Sequence, residues 1–170
     1  IKALTIDVGI KDSVFTNQAV LTPYGVIGKT IQVGKNSAIV QSISDNNFRL
    51  SVRIMPSGAV GILRWFDSNI CKVYEIQKNV EVNIGDRVIT SGFSKIYPPK
   101  LPVGTVSGVY DERGSYQKVI NVNIQNDFES IQNVLDSQRA DVSLNFDETQ
   151  ANIKMPGFLR SVQQTPLKVV

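Results

Sequence analysis

Apolar and polar residues alternate with a period of two along much of the chain, and turn residues interrupt the alternation at short intervals. Leu4 and Ile6 alternate with Thr5 and Asp7, and Leu50, Val52 and Ile54 share one face opposite Arg49, Ser51 and Arg53. Ile120, Val122 and Ile124 likewise alternate with Asn121 and Asn123. Such a period places successive side chains on opposite sides of a strand, one buried and one solvated. Pro23-Tyr24-Gly25 suits a type I turn ahead of a strand over 26–33. Gly85-Asp86 is a second turn signal, because glycine reaches positive φ without steric penalty and aspartate bonds nearby backbone. Arg87–Thr90 then reads as a strand, broken by Ser91-Gly92 and followed by the stiff Tyr97-Pro98-Pro99. Leu101-Pro102-Val103-Gly104 re-enters a strand that continues through Val106. The pattern predicts an all-β barrel or sandwich with little helix. A short helix capped by Asp127, with Phe128, Ile131, Val134 and Leu135 at helical spacing, competes with a turn followed by a strand at Val134-Leu135.

Four collinear blocks carry a family resemblance. They are Leu4–Val20 (LTIDVGIKDSVFTNQAV), Thr22–Gly34 (TPYGVIGKTIQVG), Ser57–Leu63 (SGAVGIL) and Val82–Val106 (VNIGDRVITSGFSKIYPPKLPVGTV). Together they resemble the extracytoplasmic β region of the bacterial rod shape-determining protein MreC family, over residues 4–135. Ser13 stands where that family usually has glycine, so the tight turn there is expected to be made differently. The resemblance implies two small six-stranded β-barrels, the second inserted into the first. On that reading the first barrel takes residues 1–45 and 106–136, and the second takes 46–105. Residues 137–170 form a C-terminal extension, either flexible or a hairpin formed by 142–146 and 151–155. A cytoplasmic tail, one membrane helix and a coiled coil would precede the β region, so the anchor is expected to lie outside this segment.

Composition narrows the function classes. Of 170 residues, 42% are apolar and 19% charged, which fits neither a disordered nor a membrane-spanning chain. The 18 basic residues against 15 acidic give a net charge of only +3, and they form no run, so a stripe that tracks nucleic-acid phosphates is absent. Cys71 is the single cysteine, excluding an internal disulfide, and between Ile70 and Lys72 it reads as a small buried hydrophobe.

Candidate chemistry is sparse. The chain has no histidine, which removes imidazole-dependent serine and cysteine mechanisms and the commonest zinc ligand. Ser94-Lys95 is the remaining adjacent pair for a two-barrel serine hydrolase using a Ser-Lys arrangement, but neighbours on a strand point to opposite faces. Asp86, Asp111 and Glu112 read as solvated turn residues. The glycines form no phosphate loop, and no cofactor or metal is expected. Gly85, Asp86, Gly92, Pro102 and Gly104 are read as structural turn residues.

Apolar residues outside the core pattern offer the alternative of a binding surface. Trp65 and Phe66 are adjacent, so in a strand they face opposite ways and at most one enters a given core. Phe93, Ile96 and Tyr97 lie in a connection with little regular structure, where they either pin the loop or meet a partner. Strand addition at Ile1–Asp7 or another barrel edge is a third route. The family resemblance implies a non-enzymatic scaffold on the periplasmic side of the inner membrane. Its expected partners are the elongation-specific class B penicillin-binding protein, MreD, MreB and RodA, together with self-association.

Overall fold

The computed structural model describes residues 2–125, 133–136 and 165–169, the last two segments by their backbone. Among the described residues, twelve strands form two closed barrels. The first contains β1 (Ala3–Ile6), β2 (Ala19–Thr22), β3 (Gly25–Val33), β4 (Ala38–Ser42), β11 (Asn133–Asp136) and β12 (Thr165–Val169), in the spatial order β1-β12-β11-β2-β3-β4. The second contains β5 (Leu50–Met55), β6 (Ala59–Asp67), β7 (Ile70–Gln77), β8 (Arg87–Thr90), β9 (Pro102–Asp111) and β10 (Gln117–Ile124), in the order β10-β7-β6-β5-β8-β9. The second barrel is therefore inserted between β4 and β11 of the first.

The expected return to the first barrel at residue 106 falls instead after Ile124. β9 pairs with β8 and β10, and β10 pairs with β7, so both strands belong to the second barrel. The physical reason is that Val103, Val106, Ile120, Val122 and Ile124 turn inward onto Leu50, Val52, Ile54, Leu63 and Val73. β12 also enters the first barrel beside β1, where a C-terminal extension had been expected. The hairpin alternative over 142–155 lies outside the described residues, as do Asp127, Phe128 and Ile131. Residues 134 and 135 lie in strand β11, which favours the strand alternative there.

Local sequence explains the joints. Pro23 and Tyr24 make the two-residue turn between the paired Thr22 and Gly25, and the Thr22 Oγ1 accepts the Tyr24 N–H at 3.1 Å. A single 3-10 turn, Ile10–Asp12, ends on Ser13 in the left-handed conformation (φ 61°, ψ 32°). The turn is thus made with the backbone glycine would favour, but by a serine. Gly104, expected at a turn, lies instead within β9, so flat against β10 that a Cβ would collide with the Asn123 carbonyl.

The two barrels are joined by packing, and a polar knot ties the connection between them to the first barrel. Ala19, Val26 and Ile43 of the first-barrel half belong to the same apolar cluster as the second-barrel core. In the connection after β4, the buried Asp45 carboxylate accepts the Lys2 N–H at 2.7 Å, the Asn47 N–H at 2.8 Å and the Gln41 amide at 3.3 Å. Burial alone would raise the Asp45 pKa, but these donors outweigh it and hold the carboxyl below its ordinary value.

Candidate functional site on the second barrel

Among the described strands no edge is open for addition: β1 pairs with β4 on one side and β12 on the other, and both barrels close. The strand-addition route therefore has no template among the described strands. Any binding surface must be built from outward side chains and loops.

The structure separates the aromatic candidates. The β6–β7 register jumps between Trp65↔Cys71 and Asp67↔Ile70, which leaves Phe66 as the extra residue of a bulge. Trp65 packs against the core, with the Lys2 Nζ 5.7 Å from its ring centroid, and so faces the joint between barrels. Phe66 projects outward, 55% exposed, beneath the Lys72 Nζ at 3.4 Å. Phe93 is 72% exposed, and the Arg53 guanidinium lies 5.8 Å from its ring.

Tyr97 belongs to the core rather than to a partner surface. It is buried, meets Phe48 edge-on at 6.2 Å, and its hydroxyl has no hydrogen-bond partner. Burial pushes its pKa well above the ordinary tyrosine value. Ile96 is partly buried against the same core. These two residues pin the loop that carries Phe93. A threonine completes the attachment: the Thr90 hydroxyl donates to the Pro98 carbonyl at 2.5 Å and accepts the Leu101 N–H at 2.9 Å. Gly92 has φ 81°, and a Cβ there would sit 2.7 Å from Pro99. Gly85 has φ 94° in open surroundings, while Asp86 accepts the Asn83 N–H at 2.8 Å. Pro102 begins β9 beside Ile89, where the register shifts.

Phe93 and Phe66 mark two ends of one outward sheet face formed by β5, β6 and β7. Leu50, Val52, Ile54, Leu63, Cys71 and Val73 point inward, so the alternate residues Arg53, Val60, Ile62, Arg64, Lys72 and Tyr74 point out. Cross-strand pairs Arg53↔Val60, Ile62↔Tyr74 and Arg64↔Lys72 tie the face together. Arg64 stacks on Tyr74 at 5.0 Å. From strand geometry the face spans on the order of 15 Å between Arg53 and Lys72. The aromatic flanks were legible in the sequence, but Arg53, Arg64, Lys72 and Tyr74 were not singled out. The available signal was β6 itself, which reads Ala-Val-Gly-Ile-Leu-Arg-Trp-Phe and is apolar at inward and outward positions alike.

Among the described residues, the serine, lysine and cysteine singled out in the sequence form no assembled pair. The Ser94 hydroxyl accepts the Ile96 N–H at 3.1 Å, in a loop turn, and the exposed Lys95 follows it. Cys71 is buried in the second core, where desolvation pushes its thiol up to about 12, so it is not a poised nucleophile. No group of three His, Cys, Asp or Glu residues suited to a metal occurs among the described residues.

Two closed six-stranded barrels, the second inserted into the first, with an apolar, aromatic and cationic sheet face turned outward, define a tandem β-barrel protein. The family described as "Rod shape-determining protein MreC, barrel core" matches residues 1–135, and the chain belongs to it. That family comprises cell shape-determining structural proteins and not enzymes. The chain is 30% identical over 112 residues to the cell shape-determining protein MreC of Cereibacter sphaeroides, covering 66% of this chain and 37% of the relative. It thus spans little more than a third of that relative's length. The crystal structure of MreC from Pseudomonas aeruginosa matches with a TM-score of 0.74 at 24% identity, over 79% of this chain and 87% of that one. A further match, at TM-score 0.51 and 22% identity over 64% of this chain and 78% of that one, comes from a complex between Penicillin-Binding Protein (PBP2) and MreC of Helicobacter pylori.

Proposed function

We propose that this chain is the extracytoplasmic docking portion of a cell-elongation scaffold, and that the outward face of β5–β7 binds a class B penicillin-binding protein. The carrying observation is the pair of exposed aromatics, Phe66 and Phe93, held at opposite ends of a half-buried apolar sheet face. Aromatic and arginine side chains on a rigid face are the usual anchors of protein interfaces. The Helicobacter pylori relative, solved with a penicillin-binding protein, supports the choice of partner. On this reading the protein works on the periplasmic side of the inner membrane. Contacts with MreD, MreB and RodA, and self-association, belong to the full-length protein.

A scaffold of this kind acts through differential affinity. If the face binds the synthase's active conformation more tightly than its resting one, docking shifts the synthase toward activity by that ratio. Equal affinity for both conformations would recruit the synthase without activating it. Calorimetric titration of this chain against the extracytoplasmic region of the cognate penicillin-binding protein tests the proposal. Binding at micromolar affinity or tighter, about −8 kcal/mol or better, is the expected outcome. Absence of binding would refute a docking role for this segment.

A further inference from the structure

At one end of the outward face two cations stand directly opposite each other. Arg64 pairs with Lys72 across the β6–β7 ladder, and Lys72 pairs with Asn121 of β10 on its other side. Like charges at such cross-strand positions repel and destabilise a sheet. Neither cation has a carboxylate at ion-pair distance among the described residues. Each is held instead over an aromatic ring, Arg64 over Tyr74 and Lys72 over Phe66. In the same row, the Arg64 Nε and the Asn121 Oδ1 are buried and lack hydrogen-bond partners. A planar guanidinium donor and an ammonium therefore share one row, rimmed by two aromatic rings, with a surplus of positive charge, while the Asn121 Oδ1, an acceptor, takes no part in holding an anion.

We infer that this row is a carboxylate receptor, and that the partner inserts an aspartate or glutamate flanked by apolar residues between Arg64 and Lys72. The inference deepens the docking role proposed above and rests on it. A carboxylate accepts charge-assisted hydrogen bonds from guanidinium and ammonium together, and cancels their repulsion. The flanking rings and the outward Ile62 exclude water from those bonds, which strengthens them. The apolar flank favours a protein segment over a membrane surface, since a headgroup would meet the cations but leave Ile62 and Val60 uncovered.

Removing either cation relieves the repulsion, so fold stability and partner binding should move in opposite directions. The test compares the wild-type chain with Lys72→Glu and Arg64→Gln, each titrated against the penicillin-binding protein's extracytoplasmic region at low and high salt. The expected result for Lys72→Glu is a thermal midpoint at or above wild type, because Glu pairs with Arg64, and binding about tenfold weaker or worse. Arg64→Gln, which retains a side-chain donor, should weaken binding less and flatten its salt dependence. Wild-type binding that neither substitution nor salt alters would overturn the carboxylate receptor while leaving the docking face standing. No wild-type binding would overturn both. Binding of the wild-type chain to vesicles containing anionic phosphatidylglycerol, abolished by Lys72→Glu, with synthase binding unaffected, would assign the row to a lipid headgroup instead.

Discussion

Ser13 adopts the left-handed conformation that disfavours a side chain by about 1 kcal/mol or more. Glycine relieves that strain but has a freer unfolded chain, so Ser13→Gly should stabilise the protein by a net ~0.5 kcal/mol, read as a higher urea midpoint. The deviation from glycine was visible in the sequence, but the conformation was not, because the Ser13 N–H bond to the Ile10 carbonyl holds the turn regardless of side chain. Tyr97 presents the opposite case, since its loop setting favours an anchor only slightly over a partner contact, and its burial places it in the core. Its unpaired hydroxyl is a desolvation penalty, so Tyr97→Phe should raise stability by about 1 kcal/mol and leave partner binding unchanged. Alkaline pH exposes the same burial. The Cys71 thiol ionises near its ordinary 9.0 when unfolded but near 12 when folded. Between those values the unfolded chain holds fewer protons than the native one, so stability falls as pH rises. Urea titrations at pH 8 and pH 10 should show that decline, and Cys71→Val should reduce it.

Among the elements, the loop between β8 and β9 is the one whose sequence and structure explain each other most fully. Its prolines and Gly92 mark it as a stiff connection, yet its attachment runs through the buried Thr90, which reads in the sequence as an ordinary inward strand position. Thr90→Val keeps the shape and removes the hydroxyl, leaving the Leu101 N–H without its acceptor. The expected loss is about 2 kcal/mol, with faster amide exchange at Leu101 and weaker partner binding as Phe93 loses its fixed position. The strands themselves were legible from alternation because each barrel has one wet face. β6 was the informative exception: its outward Val60 and Ile62 break the alternation, and the structure leaves them half-buried outside the core cluster. The bulge that turns Phe66 out over Lys72 had no local signature, since it arises from the mismatch in register with β7.

For the whole molecule, the inserted-barrel plan was what the family resemblance implied, whereas the alternation alone left barrel and sandwich open, and the boundary at 106 did not survive. A strand pattern alone does not say which barrel a strand closes; the inward residues of β9 and β10 settle that by packing on the second core. The site was half legible for a similar reason. The sequence marks Phe66 and Phe93 only alongside Trp65 and Tyr97, which pack on the core, and Arg53, Arg64 and Lys72 become neighbours of the exposed rings only through cross-strand register. The central claim, that the outward face of β5–β7 docks a class B penicillin-binding protein, is tested most directly by titrating that partner with wild-type chain and with the Phe66→Glu/Phe93→Glu double variant. Both side chains are largely exposed, so the variant should keep the wild-type thermal midpoint within a few degrees. The account predicts micromolar or tighter binding by the wild type and a loss of about 2 kcal/mol or more, at least roughly 30-fold, in the variant. Equal binding by the two proteins would contradict it.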